Sequence, residues 1–232
     1  MQTERDAAII DWVGRIGAAG AEHVMYRFGM GRTAVYTRFR RQIELGAIEE
    51  HRVLYHQPGL YVATSDGLRG RGLSRLGVYK VSPGGFVHAR EVAAAAASLH
   101  FALPGLRVLA ERELRLDESD EGRLLGSVKM GELAGGVPAL HRPDLVFAAA
   151  DRTLAVEVEL SVKAPKRLQR ICISYARARH VDHVYYLAAP AAARAVTRAV
   201  AETRSQDRIT VLALADTAEV GRLEAGSRAA RV

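Results

Sequence analysis

The chain has 232 residues, of which 33 are Lys or Arg and 26 are Asp or Glu, and its formal net charge is +7. Hydrophobic residues make up 49% and charged residues 25%, proportions that exclude a disordered protein. The single cysteine, Cys172, excludes an intramolecular disulfide and a Cys-rich zinc finger.

No apolar stretch approaches the roughly 20 residues of a membrane span. The polar start of the chain does not resemble a signal peptide. We therefore expect a soluble cytoplasmic protein with no membrane association. Residues 1–80 contain 12 Lys or Arg against 8 Asp or Glu, and residues 81–232 contain 21 against 18. A basic excess concentrated in the first third of the chain suits a polyanionic partner such as nucleic acid.

Residues 1–80 show three helical patterns followed by two short strands. The helical patterns cover 4–16, 21–28 and 32–45, and the strands flank the turn at Gln57-Pro58-Gly59. Thr3 is placed to cap the first helix, and glycines separate all three. Three helices and a hairpin in this order are typical of a winged helix-turn-helix, which we place at residues 1–80.

The third helix carries the candidate DNA-binding residues. Arg32, Tyr36 and Arg40 are spaced four residues apart, so they lie in one line along the helix. Arginine can donate to guanine edges, and Arg, Thr and Tyr can all hold phosphates. The candidates are Arg32, Thr33, Tyr36, Thr37, Arg38, Arg40 and Arg41 on this helix, with Arg69 and Arg71 in the Gly-rich stretch after the hairpin. The alternative is a solvated arginine face on a protein–protein adaptor.

The pattern of residues 81–216 predicts an α/β domain. The turn sequence Ser82-Pro-Gly-Gly85 marks its predicted boundary with the first domain. Its first predicted elements are a helix at 88–101, a strand at 106–116, an acidic turn at 117–121 and a loop at 122–139. Apolar strands then alternate with helices up to residue 215, which favours a mixed sheet covered on both sides. Residues 217–232 are expected to form a flexible tail.

Three carboxylates fall on two successive predicted strands of this domain. Asp144 begins one strand, and Glu157 and Glu159 follow on the next, where residues i and i+2 point to the same face. Together they offer oxygen ligands for Mg²⁺ or Mn²⁺, which can activate water for phosphoryl transfer. Lys163 and Lys166 are the nearby cations that can hold a phosphate. Alternatively, the acids face solvent opposite arginines, and no cofactor is required.

The pattern resembles a known nuclease superfamily. Pro143-Asp144, a turn, Glu157-Val-Glu159 on a strand and a following basic helix resemble the PD-(D/E)XK nucleases, whose fold is restriction-endonuclease-like. With the N-terminal winged helix, the segment Ala155-Val-Glu-Val-Glu-Leu-Ser-Val-Lys-Ala-Pro-Lys-Arg-Leu168 looks like the replication-relaxation family of bacterial and plasmid proteins. This resemblance covers about residues 5–215 and implies the same two domains.

Carried over residue by residue, the resemblance assigns Asp144 and Glu157 to the acids of the family's motif. The family's catalytic lysine would stand two residues after the second acid, where this chain has Glu159. Either the basic role has moved to Lys163 or Lys166, or cleavage has been lost and the fold only binds DNA. The sequence therefore leaves enzymatic activity open.

Three functions fit these observations. The first is a DNA-binding protein of replication, plasmid or mobile-element control, in which a winged helix docks on double-stranded DNA and a nuclease-like domain adds backbone contacts or dimerisation. The second is a divalent-metal-dependent DNA endonuclease that uses Asp144, Glu157 and Glu159 as metal ligands, with Lys163 facing the phosphate. The third is a protein–protein adaptor. A homodimer is compatible with the first function because winged helices often bind paired half-sites.

Overall fold

The computed structural model describes residues 2–229, which form a mixed α+β protein with two compact units. The first unit extends to His100 and the second begins at Phe101. The division falls in the last turn of helix α5 (Phe86–Ala102), about 20 residues after the predicted boundary at residue 80. None of the described helices combines the length and the apolarity that a membrane crossing requires.

Helix α5 belongs to the first unit because its first turn supplies part of that unit's core. Phe86 and Ala89 pack in one buried cluster with Leu60 and Val62. The turn sequence at residues 82–85 therefore precedes a helix of the same unit and does not mark the end of that unit.

In the first unit, three helices are followed by an antiparallel hairpin. The elements are α1 (Glu4–Ile16), α2 (Ala21–Phe28), α3 (Arg32–Glu44), β1 (Ile48–His51), β2 (Leu60–Ala63) and α4 (Ser65–Gly70). These bounds confirm the three predicted helices and the hairpin, but β1 ends at His51, so residues 52–55, which were predicted as strand, lie outside it. The Gly-rich stretch at 67–72 begins inside α4, because the Thr64 side chain caps this helix by accepting the Gly67 amide.

A capping box at the start of α1 also holds α3. Thr3 Oγ1 accepts from the Asp6 amide, and the Asp6 carboxylate accepts from the Thr3 amide. Asp6 is 1% exposed and pairs with Arg38 of α3 at 2.6 Å. Burial raises the pKa of Asp6, but the hydrogen bonds from Thr3 and the Arg38 charge outweigh burial and lower it overall. One buried carboxylate therefore caps one helix and anchors another.

The second unit is built on a mixed five-stranded sheet. Its elements are β3 (Arg107–Ala110), α6 (Glu111–Glu121), β4 (Val128–Glu132), β5 (Pro138–His141), β6 (Leu145–Ala149), β7 (Arg152–Glu159), α7 (Pro165–Arg177), β8 (His183–Ala188), α8 (Pro190–Glu202), β9 (Ile209–Ala213) and α9 (Thr217–Ala229). The strand order is β3-β6-β7-β8-β9, antiparallel up to β7 and parallel from β7 onward. Strands β4 and β5 form a separate antiparallel hairpin. The predicted mixed sheet is confirmed.

Strand β7 lies at the centre of this sheet and is buried on both faces. Helices α7 and α8 cover one face, where Tyr175 and Val196 pack in a cluster with Ala155 of β7. Because side chains alternate along a strand, Glu157 and Glu159 lie on the same helix-covered face as Ala155. This placement puts two acidic residues beneath a helical layer.

The opposite face carries a buried ion pair with α9. Glu224 of α9 pairs with Arg152 of β7 and accepts a hydrogen bond from the Tyr185 hydroxyl at 2.6 Å. Arg152 and Glu224 are 7% and 5% exposed. The predicted flexible tail therefore forms a helix over Thr217–Ala229, since a buried charge pair fixes it to the sheet. Residues 230–232 of that predicted tail lie outside the described residues.

The predictions between residues 106 and 139 are partly wrong. The predicted strand at 106–116 is extended only as far as Ala110 and continues as α6, which also includes the predicted acidic turn. The region at 122–139, predicted as a loop with short pieces of structure, contains β4 and the first two residues of β5. Buried Glu118 explains the difference, because its carboxylate accepts from the backbone amides of Leu125, Gly126 and Ser127. A charged residue that serves as an internal hydrogen-bond acceptor does not follow the usual hydrophobic periodicity.

Replacing Glu224 with alanine should lower the free energy of unfolding by about 3–5 kcal/mol, because Arg152 then stays buried without its partner. Urea unfolding followed by circular dichroism measures this loss. Arg222→Ala is the matched control on the same helix, since it breaks only the exposed pair with Glu219 and should cost no more than about 0.5 kcal/mol. Equal losses in the two variants would contradict the role of the buried pair.

Candidate functional site

One side of α3 presents six polar residues to solvent, here called the α3 surface. The six residues are Arg32, Thr33, Tyr36, Thr37, Arg40 and Arg41. Val35 and Phe39 point to the opposite side and are buried in the core of the first unit. The structure therefore places six of the nine predicted DNA-binding residues together on one exposed helix face.

Two arginines of the α3 surface, Arg32 and Arg40, are available to an external acceptor. The Arg32 guanidinium lies over the Tyr36 ring, 5.7 Å from its centroid. Within residues 2–229, neither Arg32 nor Arg40 is paired with a carboxylate. The acidic residue of this helix, Glu44, is its last residue. The exposed face thus combines positive charge with hydroxyl donors.

Two other predicted DNA-binding residues are engaged within the protein. Arg38 pairs with buried Asp6 and also donates to Thr3 Oγ1 at 3.0 Å, so it holds α1 against α3. Arg69 pairs with Asp66 at 3.0 Å on the surface of α4. An exposed pair is worth only about 0–1 kcal/mol, so Arg69 can exchange its partner for a phosphate, whereas removing Arg38 would leave a buried carboxylate unpaired. Arg71 is exposed just after α4.

In the second unit, Asp144, Glu157 and Glu159 lie around the end of β7 and are here called the carboxylate cluster. Glu157 and Glu159 are 4% and 3% exposed, which excludes the alternative that they face solvent. Asp144 precedes β6, and its Oδ2 accepts from the Val158 amide at 2.7 Å. Burial and the charges of all three acids raise the pKa of the buried Tyr186 hydroxyl. The two strands therefore deliver three carboxylates to one buried region.

Two side chains donate to the same oxygen of Glu157. His141 Nε2 lies 2.7 Å and the Tyr175 hydroxyl 2.5 Å from Glu157 Oε1. Burial lowers the pKa of His141, but the charge of Glu157 and the hydrogen bond to it act in the opposite direction and raise the pKa overall. Burial and the Glu157 charge also raise the pKa of Tyr175 well above its usual value. A neutral phenol and a protonation-prone imidazole thus stabilise the buried carboxylate.

Three members of this site were not predicted from the sequence, namely His141, Tyr175 and Tyr186. His141 lies on β5, next to a region predicted as a loop. Its contact with Glu157 therefore cannot be predicted from the sequence. Tyr175 has the helical spacing of an inward position, but that spacing does not distinguish a hydrogen-bond donor from a packing residue. The position of His141 directly before Arg142-Pro143-Asp144 is the one local signal in the sequence.

Of the two candidate lysines, Lys163 joins the carboxylate cluster. Its ammonium pairs with Glu159, which stands four residues earlier at the end of β7. Lys166 is exposed in the first turn of α7. A cation therefore stands beside Glu159, although this residue occupies the position where the resemblance would require a lysine.

A divalent-metal site needs carboxylate oxygens that are free to bind the ion. Each acid of the cluster already has an oxygen bonded to a donor of the protein, and two of these donors, Lys163 and His141, carry or favour positive charge. They reduce the like-charge repulsion that would otherwise favour a bound cation. Among the described residues, no group of three His, Cys, Asp or Glu side chains is arranged to hold a metal ion. As placed, the cluster fits a polar network of the protein rather than a Mg²⁺ or Mn²⁺ site.

Comparison with known proteins yields no relative: the chain matches no protein-family model, no curated protein and no solved structure. The resemblance to the replication-relaxation family rests on the motif residues alone, chiefly Pro143-Asp144 and Glu157-Val158-Glu159. Membership of that family stays a prediction.

The titration of His141 should depend on Glu157. In the wild-type protein its pKa should lie above the usual value of 6.5, and in Glu157→Gln below it, because burial then acts without the opposing charge. NMR spectra of the ring protons as a function of pH measure both values. His183, whose pKa burial lowers, should titrate below 6.5 in both proteins and serves as the internal control. A His141 pKa that is insensitive to Glu157→Gln would contradict this assignment.

The sign of the effect on stability follows from the raised pKa. A histidine whose pKa is higher in the folded state binds its proton more tightly there. The stabilisation from the pair of His141 and Glu157 is therefore complete below about pH 6.5 and is lost as the pH rises through the folded-state value.

Proposed function

We propose that the protein binds double-stranded DNA by placing the α3 surface in the major groove. The observation that carries this proposal is the exposed face of α3, where Arg32 and Arg40 have no carboxylate partner within residues 2–229. An α-helix fits the major groove, and arginine is the side chain that most often contacts guanine there. By the resemblance, such a protein would act in replication, plasmid or mobile-element control.

The surroundings of α3 support a winged helix-turn-helix arrangement. Helix α2 ends at Phe28 and is capped by Gly29, which has a φ of 61°, and a short turn leads into α3. Phe39 of α3 packs against Tyr61 of β2 with ring centroids 4.0 Å apart, so the hairpin is attached to the inner side of the proposed recognition helix. The segment between β1 and β2 carries exposed Arg52 and Tyr55 and would form the wing.

The adaptor alternative uses the same exposed helix face but a different partner. Protein-binding surfaces usually have an apolar centre, and hot spots are rich in buried aromatic side chains. The α3 surface offers Tyr36 as its aromatic residue, surrounded by three arginines and two threonines. This composition favours a polyanion, whose binding would be strongly weakened by salt.

Metal-dependent cleavage of DNA is the second candidate. It is supported by the convergence of Asp144, Glu157 and Glu159 near the Tyr186 hydroxyl, which is buried without a hydrogen-bond partner among the described residues. The donors already bonded to these acids favour a nuclease-like domain that binds without cutting. We therefore propose that the second unit assists DNA binding.

Replacing Arg32 and Arg40 with alanine should weaken DNA binding. We expect the affinity to fall roughly tenfold or more. The slope of log affinity against log salt should decrease in magnitude by about two, because two cations that contact phosphates or bases are removed. Fluorescence anisotropy with a labelled duplex at several salt concentrations measures both quantities. Arg198→Ala, which removes an exposed arginine from α8 in the other unit, is the control and should change affinity little. If the wild-type protein does not bind the duplex, or binds it with an affinity that salt does not change, DNA binding is contradicted and the protein–protein adaptor function remains.

Supercoiled plasmid incubated with the protein and Mn²⁺ should be shifted on a gel but stay intact. The reason is that Lys163, His141 and the Val158 amide already neutralise or engage the carboxylate cluster. Nicking that requires Mn²⁺ and disappears in Glu157→Ala, with binding unchanged, would contradict this and establish the nuclease. Glu219→Ala, which removes a half-buried acid of α9, is the control for loss of one carboxylate.

A further inference from the structure

A second basic site lies in the second unit, in a cleft between α6 and the β4–β5 hairpin that we call the α6 cleft. Its volume is about 700 Å³. Four cationic side chains line it, namely Arg115, Arg123, Lys129 and Arg142. Leu124 and Leu140 supply apolar wall between them. Neither the predicted DNA-binding residues nor the carboxylate cluster includes any of these six.

The four cations differ in how firmly they are held by the protein. Arg115 pairs with Glu111 at 3.1 Å and Arg123 with Glu121 at 2.6 Å, and both arginines are mostly exposed. Such surface pairs are weak and exchange readily with another anion. Lys129 has no carboxylate partner within residues 2–229. Two cations are therefore loosely paired, and a third is open to a ligand.

Arg142 gives the clearest sign of a missing acceptor. Its Nε is buried and has no hydrogen-bond partner among the described residues. A guanidinium N–H that is withdrawn from water without an acceptor is costly, and a phosphate oxygen is an acceptor that suits its geometry. Arg142 stands directly after β5, at the edge of the cleft.

Glu111 and Glu121 offset part of the charge of Arg115 and Arg123. Two further negative contributions oppose an anion in this cleft, but Lys129 and Arg142 have no carboxylate partner among the described residues. Glu118 lines the cleft, but its carboxylate accepts from three backbone amides and from the Ser127 hydroxyl, so its lone pairs are turned toward the loop. Helix α6 also ends at the cleft, where its dipole contributes roughly half a negative charge. The remaining field is positive beside Lys129 and Arg142.

The α6 cleft and the carboxylate cluster are on opposite faces of the β4–β5 hairpin. Lys129 pairs with Leu140 across the hairpin, and Val128 pairs with His141. Paired residues share a face and successive residues alternate, so Lys129 and Leu140 face the cleft while Val128 and His141 face α7. His141 bonds Glu157 on that other face. The basic cleft is thus a separate site and not an extension of the acidic one.

We propose that the α6 cleft is a phosphate-binding site that takes the phosphodiester backbone of a nucleic acid. Its volume exceeds that of one phosphate group, its cations are spread along both walls, and its leucines suit the apolar side of a sugar. A free polyphosphate shares the same chemistry and is the other source of phosphate that the test distinguishes. This inference does not rest on the α3 surface, because the cleft lies wholly in the second unit.

The test compares charge-reversal variants of the full-length protein. Lys129→Glu alters the cleft, and Arg198→Glu, at an exposed position of α8, changes the net charge by the same amount elsewhere. Both are also made in the Arg32→Ala, Arg40→Ala background. Anisotropy with a labelled duplex over a salt series measures nucleic-acid binding, and calorimetry with inorganic pyrophosphate measures free-phosphate binding. Arg142→Lys keeps the positive charge and removes the Nε–H group. It therefore tests whether this unpartnered donor contributes to binding, with little risk to folding.

We expect Lys129→Glu to weaken duplex binding about tenfold at low salt and to lower the log–log salt slope by about one, in both backgrounds, with a much smaller effect of Arg198→Glu. Arg142→Lys should weaken binding as well. If the duplex affinity is unchanged but pyrophosphate binding is lost in Lys129→Glu, the ligand is a free polyphosphate.

Equal effects of Lys129→Glu and Arg198→Glu on both probes would overturn the site. Failure of the proposal for the α3 surface can be told apart from this outcome. In that case the Arg32→Ala, Arg40→Ala variant would bind the duplex with wild-type affinity, while Lys129→Glu would still weaken binding.

Discussion

The buried carboxylate of Glu157 is the constraint on which much of the second unit depends. It stands on the central strand β7, beneath α7, where an unpaired charge would be strongly destabilising. One of its oxygens receives hydrogen bonds from Tyr175 of α7 and from His141 of β5. A single acceptor thereby fixes a helix and a hairpin against the sheet. The separate β4–β5 hairpin, which shares no strand pairing with the main sheet, is held to it partly through this contact.

The first unit also depends on a buried acid, Asp6. Because Asp6 pairs with one arginine of α3, the arginines of this helix differ in their surroundings. Arg38 turns inward to Asp6 and secures the helix, while Arg40, two residues later, points to solvent. The pair of Arg38 and Asp6 fixes α3 against α1, while Arg40 stays on the exposed side of the same helix. Successive arginines of one helix thus serve an internal contact and an exposed face.

The parts of the fold that follow hydrophobic periodicity could be predicted from the sequence. Helices α1 to α3, the β1–β2 hairpin and the run from β6 to β9 all have apolar residues at helical or strand spacing. The α3 surface followed from the same pattern. Prediction failed where buried charges replace apolar residues, as with Glu118 in α6 and the pair of Arg152 and Glu224 that holds α9. Their partners are distant in sequence or are backbone amides, and no local pattern encodes them.

The loop that Glu118 holds has a consequence for where the chain tolerates change in length. Three consecutive amides converge on that carboxylate, and a Cβ at Gly126 would lie 2.3 Å from a methyl group of Val146, so neither an added residue nor a larger one fits there. At the far end of the same hairpin, Gly135 and Gly136 have open space around them. A reporter peptide or fluorophore tag inserted at this tip would leave the hydrogen bonds at the hairpin base intact. The two ends of one small hairpin thus differ sharply as engineering sites.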